Sequence, residues 1–288
     1  MDGLRILAIE TATAACSAAL YIDGEISERH ALAPREHALL ILPMIDALLA
    51  EAGVPVGALD AIAYGRGPGS FTGVRIAASV VQGIAFAADL PVVAVSTLAT
   101  LAQGAMRETG ESRVMAALDA RMAEVYWGLY ARESDDLPRL QGEECVCAPQ
   151  AVAVPETGVW IAAGSGWASF REELLQRVGQ QVSLLLPDLE PRAGDLVRLA
   201  AQRYQQGEIL RPEEAVPVYL RDTVVRPARH RPSARTRRSD LLRCRPRAHR
   251  QRGAGCLTRE TRSRPGPGLV QPRQPAGRRG GRRDCCPG

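Results

Sequence analysis

The chain has 288 residues, 46% of them hydrophobic and 24% charged, which fits one or two globular domains. No apolar run approaches the ~20 residues that cross a bilayer, so membrane insertion is not expected. The formal net charge of +4 conceals a break: residues 1–225 hold 17 Arg against 29 Asp and Glu, whereas residues 226–288 hold 19 Arg against Asp240, Glu260 and Asp284. All 36 basic residues are Arg, which excludes P-loop, Schiff-base and kinase-type lysine chemistry.

The start of the chain passes straight into Arg5-Ile6-Leu7-Ala8-Ile9-Glu10, with no basic head, apolar block or cleavage site, so no secretory signal is expected and a cytoplasmic location is. Leu4 to Ile9 reads as a short buried strand. Ala15 to Ile22 follows, Asp23-Gly24 signals a hairpin turn, and Glu25 to Leu32 alternates as a third strand. Arg35-Glu36-His37 opens a helix to about Ala52, stopped by Gly53. A strand over Ala61–Tyr64, a glycine-rich loop from Gly65 to Gly69 and a helix over Phe71–Ala88 come next. Pro91 to Val95 is a fifth strand, and Ser96 caps a helix to about Met106.

A weaker copy of that order follows. Arg113–Leu118, Glu124–Tyr130, Glu143–Cys147 and Val159–Ala162 read as strands, and Trp167–Val178 and Gly194–Tyr204 as helices. The expected fold is therefore α/β, with two tandem ribonuclease-H-like lobes in the actin-like architecture. The divisions are 1–108, 109–225 with its last helix packing back, and a basic tail over 226–288. The tail has no Phe, Trp or Tyr and is expected to be disordered. Two readings compete for it: a basic arm on RNA phosphates, and an out-of-frame translation of a GC-rich message, which its Arg, Pro and Gly content favours.

Tyr64-Gly65-Arg66-Gly67-Pro68-Gly69-Ser70-Phe71-Thr72-Gly73-Val74-Arg75-Ile76 carries the most information. Gly67 and Gly69 permit backbone angles that a Cβ forbids, and Ser70 or Thr72 can cap the helix. Free N–H groups there would suit an anion; the competing reading is a tight turn that packs helix on sheet. Metal chemistry is poorly served: residues 1–225 hold only His30 and His37, with Ile41 and Ala33 four residues either side of His37. His37 is expected to cap or pack its helix. Cys145-Val146-Cys147 points two sulphurs to one face of a strand, and a structural role is expected.

At the glycine-rich stretch the chain resembles the bacterial tRNA threonylcarbamoyladenosine-biosynthesis family TsaB, also called YeaZ. The resemblance extends to Leu7–Thr13, where the family usually carries Asp at the position of Glu10. It includes Pro34-Arg35-Glu36-His37, Leu42-Pro43, Val95–Leu98, Leu118–Arg121, Glu124–Trp127 and Ala215–Arg221, and it stops near residue 225. It implies a paralogue of the enzyme TsaD that shares the two-lobed fold without its metal site. The implied function is as a non-catalytic subunit, binding and activating TsaD in threonylcarbamoyl transfer to the adenosine beside the anticodon of ANN-decoding tRNAs. TsaE would join through the complex, tRNA would be met indirectly, and the chain alone would form a homodimer. Implied interface residues are Arg35, His37, Leu40, Ile41, Met44, Arg75, Ala78, Ser79 and Gln82. Candidate nucleotide or anion contacts are Glu10, Thr11, Gly69, Ser70, Thr72 and Asp119. No cofactor is required by the chain, and ATP or ADP at a subunit interface is the one candidate. Three rivals stand beside this reading: a nucleotide-binding hydrolase or kinase of the actin-like fold, a metallohydrolase, and an RNA-binding module acting through the tail.

Overall fold

The computed structural model describes residues 3–132 and 137–221; the expectations for 226–288 lie outside the described residues. Strand β1 (Arg5–Glu10), buried from Ile6 onward, is the spine of the first sheet. It pairs antiparallel with β2 (Ala15–Ile22) and parallel with β4 (Ala61–Gly65). The edges are β3 (Glu25–Leu32) and β5 (Val92–Val95), giving the order β3-β2-β1-β4-β5. The second sheet is built on β6 (Arg113–Asp119), β7 (Val125–Arg132), β8 (Pro138–Leu140), β9 (Cys145–Cys147), β10 (Trp160–Ala163) and β11 (Val182–Leu186). Its order is β11-β10-β6-β7-β8, with β9 also on β7. Here β6 takes the place of β1, with an antiparallel neighbour on one side and a parallel one on the other. The expected second copy is thus present at the level of topology.

Helices fill three layers around these sheets. Strand alternation sends Leu7 and Ile9 of β1 outward, to α1 (His37–Ala52) and α2 (Phe71–Ala88), where Ile41, Ile45, Leu48, Ala77, Val81 and Ala85 meet them. It sends Ile6 and Ala8 inward, to α3 (Thr97–Thr109) and α6 (Ala193–Gln205). Val114, Ala116 and Leu118 of β6 reach the same inner cluster from the other sheet. Met115 and Ala117 face out, against Trp127, Trp160 and Trp167. The N-terminus of α6 is tied to the first sheet: Ala193 N–H donates to Ser17 Oγ at 2.9 Å and Gly194 N–H to Glu28 Oε1 at 2.8 Å.

Caps set most of the expected ends. Gly53 takes the left-handed conformation after α1, and the Ser96 hydroxyl accepts from Leu98 and Ala99 N–H at the start of α3. Helix α3 runs on to Thr109, where left-handed Gly110 stops it. The single helix expected over Trp167–Val178 is corrected to α4 (Ser165–Ser169) and α5 (Arg171–Val178), because Phe170 leaves helical geometry at φ −134° and ψ 38°. Strands β8 and β11 were not expected. By length and composition α2 is the one helix among the described residues apolar enough to cross a membrane. A core helix passes the same test, and α2 packs on β4 with Val74, Ala77, Ala78, Val81 and Ala85 buried.

Candidate functional site

Three turns meet between the two sheets: the one from β1 to β2, the glycine-rich loop entering α2, and the one from β6 to β7. They frame a cleft of about 590 Å³, lined among others by Thr13, Arg35, Ser70, Thr72, Asp119 and Arg121. The glycines bring two of the turns into backbone contact. A Cβ on Gly69 would stand 2.4 Å from the Ala12 carbonyl oxygen, and one on Gly73 would stand 2.0 Å from that of Thr11. In that space Ser70 N–H donates to Ala12 O at 2.7 Å, and the Thr11 hydroxyl donates to Gly73 O at 2.8 Å. Ser70 caps α2, its Oγ accepting from Gly73 N–H at 3.4 Å. The loop therefore clamps α2 to the first turn, which is the packing reading of the motif.

The six candidate nucleotide or anion contacts separate into two groups. Gly69, Ser70, Thr72 and Asp119 line the cleft; Glu10 and Thr11 do not, because both are fully buried beneath it. Glu10 Oε1 accepts from Ala12 N–H at 2.8 Å and Oε2 from the Thr97 hydroxyl at 3.2 Å. Its carboxyl occupies the room left by the absent Cβ of Gly65. Burial pushes its pKa up to about 7, against the pull of those hydrogen bonds. Asp119 caps its turn, accepting from Arg121 N–H at 2.7 Å, and pairs with the Arg121 guanidinium at 3.2 Å. Arg121, Met122 and Ala123 all lie in the left-handed region, at φ 61°, 56° and 59°, where a side chain costs about 1–2 kcal/mol per residue. The Arg221 guanidinium pairs with Glu124 and reaches Met122 Sδ at 3.4 Å, holding this tip.

The expected interface residues fall on α1, α2 and the turn before α1. Arg35, Arg75 and Ser79 are exposed, and Leu40, Met44 and Gln82 half-buried. His37, Ile41 and Ala78 instead point into the chain; the His37 ring stands 3.2 Å from Ala15 O, packing the helix start as expected. Sequence reasoning did not single out Phe86, 78% exposed, nor the exposure of Leu39 at 74%. Between α1 and α2 runs a groove of about 420 Å³ lined by Ala38, Phe71, Ile76, Ser79 and Val80. At its end Arg75 lies 3.6 Å over the Phe71 ring and donates from Nε to the Tyr219 hydroxyl at 2.8 Å. The signal for this face was the apolar character of α1 on more than one side.

Known proteins resemble the chain over this whole region. The family model described as "TsaD: tRNA N6-adenosine threonylcarbamoyltransferase" matches residues 30–228. The tRNA threonylcarbamoyladenosine biosynthesis protein TsaB of Escherichia coli is 44% identical over 227 residues, covering 77% of this chain and 96% of that protein. Its counterpart in Haemophilus influenzae is 40% identical over 233 residues, covering 78% and 96%. The solved structure of YeaZ from Pseudomonas aeruginosa is 50% identical with a TM-score of 0.71, covering 75% of this chain and all of that one.

Proposed function

The chain belongs to the TsaB family of tRNA threonylcarbamoyladenosine biosynthesis proteins, and on that premise we propose that it is a non-catalytic subunit that binds and activates TsaD. In this reading TsaD transfers threonylcarbamoyl to the adenosine beside the anticodon of ANN-decoding tRNAs, in the cytoplasm. TsaE joins through the complex, tRNA is met indirectly, and two copies of this chain pair when TsaD is absent. The chain needs no cofactor of its own, and any ATP or ADP is held where subunits meet.

The observation that carries this reading is the set of exposed apolar side chains on α1 and α2: Leu39 and Leu42 on α1, Phe71 lining the groove at the start of α2, and Phe86 near the end of α2, lining a second hollow with Ser79, Gln82 and Gly83. Fully burying one such side chain contributes about 1.5–3 kcal/mol, and several large apolar side chains exposed on two neighbouring helices mark an interaction surface. The acidic charge of residues 1–225 suits a protein partner better than a phosphate backbone.

Reconstitution tests it. Full-length chain is mixed with TsaD, TsaE, threonylcarbamoyl-adenylate, ATP and unmodified tRNA. Exposed Ser79 and Phe86 are the residues to alter, since a charge at buried Ala78 would disturb the fold itself. Ser79→Arg and Phe86→Glu are expected to lose TsaD binding and tRNA modification together while keeping the thermal melt. Modification that proceeds equally without the chain overturns the proposal. The cleft with Arg35, Ser70, Thr72 and Arg121 favours one second reading, a nucleotide-binding hydrolase or kinase. Turnover of ATP by the purified chain alone would carry it.

A further inference from the structure

Strand β9 presents two thiols to one side of the second sheet. It pairs with β7, Cys145 opposite Trp127 and Cys147 opposite Val125, and residues two apart on a strand share a face. The two Sγ atoms stand 3.8 Å apart. Both are free thiols and half-buried, whereas Cys16 is sealed in the core. Both pack against the Trp127 cluster, which holds them together. Two sulphurs this close suit a reaction in which one thiol captures a sulphur and the other displaces it.

We propose that Cys145 and Cys147 form a redox-responsive dithiol, which a small-molecule disulfide such as oxidised glutathione converts to an intrachain disulfide. The Cys145 thiolate attacks one sulphur of the small disulfide, forming a mixed disulfide and releasing one small thiolate. Cys147, once deprotonated, attacks Cys145 Sγ and expels the second. Two protein thiols are oxidised, one disulfide is reduced to two thiols, and the two protons pass to the departing thiolates. The shared hydrogen bond draws the Cys145 thiol down to about 7 and pushes Cys147 up, so the pair holds an attacking thiolate near neutral pH. An accessible thiolate beside a resolving thiol is the arrangement of sensor cysteines.

The bond has a structural lever. Residues two apart on a strand have Cα atoms roughly 6.6 Å apart, at the long end of what a disulfide spans, so closure shortens β9. The preceding residue, Glu144, accepts from the hydroxyls of Ser96, which caps α3, and Tyr130 on β7. Drawing β9 in therefore pulls on a tie between the two halves of the body.

The test uses the reduced full-length chain in glutathione buffers of rising oxidised fraction, followed by alkylation and trypsin. The tryptic peptide from Leu140 to Arg171 holds these two cysteines and no other. It is expected to lose two alkylation sites and two hydrogens, while Cys16 stays reduced. Cys147→Ser is expected to trap glutathione on Cys145, and Cys145→Ser to slow adduct formation at Cys147 at least tenfold. The proposal is overturned if the peptide stays reduced throughout, or if wild type accumulates as much mixed disulfide as Cys147→Ser. A bond from either thiol to a cysteine of residues 226–288 overturns it too. The wild-type peptide decides the matter even if a serine variant fails to fold.

Discussion

Glu10 is a carboxyl group without solvent, held by one amide and one hydroxyl donor. Its pKa rises from an ordinary 4.5 to about 7 on folding, chiefly by burial. Between those values the folded chain keeps a proton that the unfolded chain releases. Stability from this group is therefore full below pH 4.5 and is lost as pH climbs through 7. Urea midpoints at pH 5 and pH 8 should fall more steeply for wild type than for Glu10→Gln; equal falls would mean that Glu10 titrates as an exposed acid. Gly73 offers a second test. Gly73→Ala is expected to cost about 2 kcal/mol by driving a Cβ into Thr11 O. Gly83→Ala, in the same helix with open space around it, is expected to gain up to about 1 kcal/mol. The glycine motif was legible as a tight strand-to-helix turn, but its purpose was not. Phosphate cradles and helix clamps both call for glycine and serine, and the clamp is made by carbonyls of Thr11 and Ala12, about 60 positions away in the chain. Glu10 was misplaced for a related reason: the end of β1 fixes its position, while the direction of its carboxyl depends on Gly65 and Thr97.

Among the elements, α3 and α6 share the layer between the sheets and are joined by a bidentate pair. Arg107 Nε donates to Asp195 Oδ1 at 2.7 Å and its terminal nitrogen to Oδ2 at 3.0 Å. Asp195 is buried and Arg107 is 40% exposed, so water screens part of the interaction. Asp195→Ala should destabilise by about 2 kcal/mol in chemical denaturation, and a change below ~0.5 kcal/mol would show that packing alone joins the helices. Elements with chemical punctuation were legible: Gly53 ends α1, Ser70 opens α2 and Ser96 opens α3. The break at Phe170 was not, because neither glycine nor proline marks it; just before it Trp167 is buried, its Nε1–H donating to Met115 O at 3.1 Å. Strand β8 is three residues long, too short for a period, and the apolar run of β11 does not distinguish strand from helix.

At the scale of the molecule, two sheets of matching topology enclose one inner layer, and the chain visits that layer twice. The order of elements made this legible; the pairing across the layer was not, since α3 and α6 are about 90 residues apart in sequence. One consequence concerns synthesis rather than the finished molecule. The first sheet is complete in sequence at Val95, yet α6, which covers part of its inner face and bonds to Ser17 and Glu28, begins only at Ala193. At roughly 5–20 residues per second, that face waits on the ribosome for about 5–20 s before its cover is made. The emerging chain thus offers a wide apolar surface to chaperones, and a ribosome stalled between those two points would leave a nascent chain prone to aggregate.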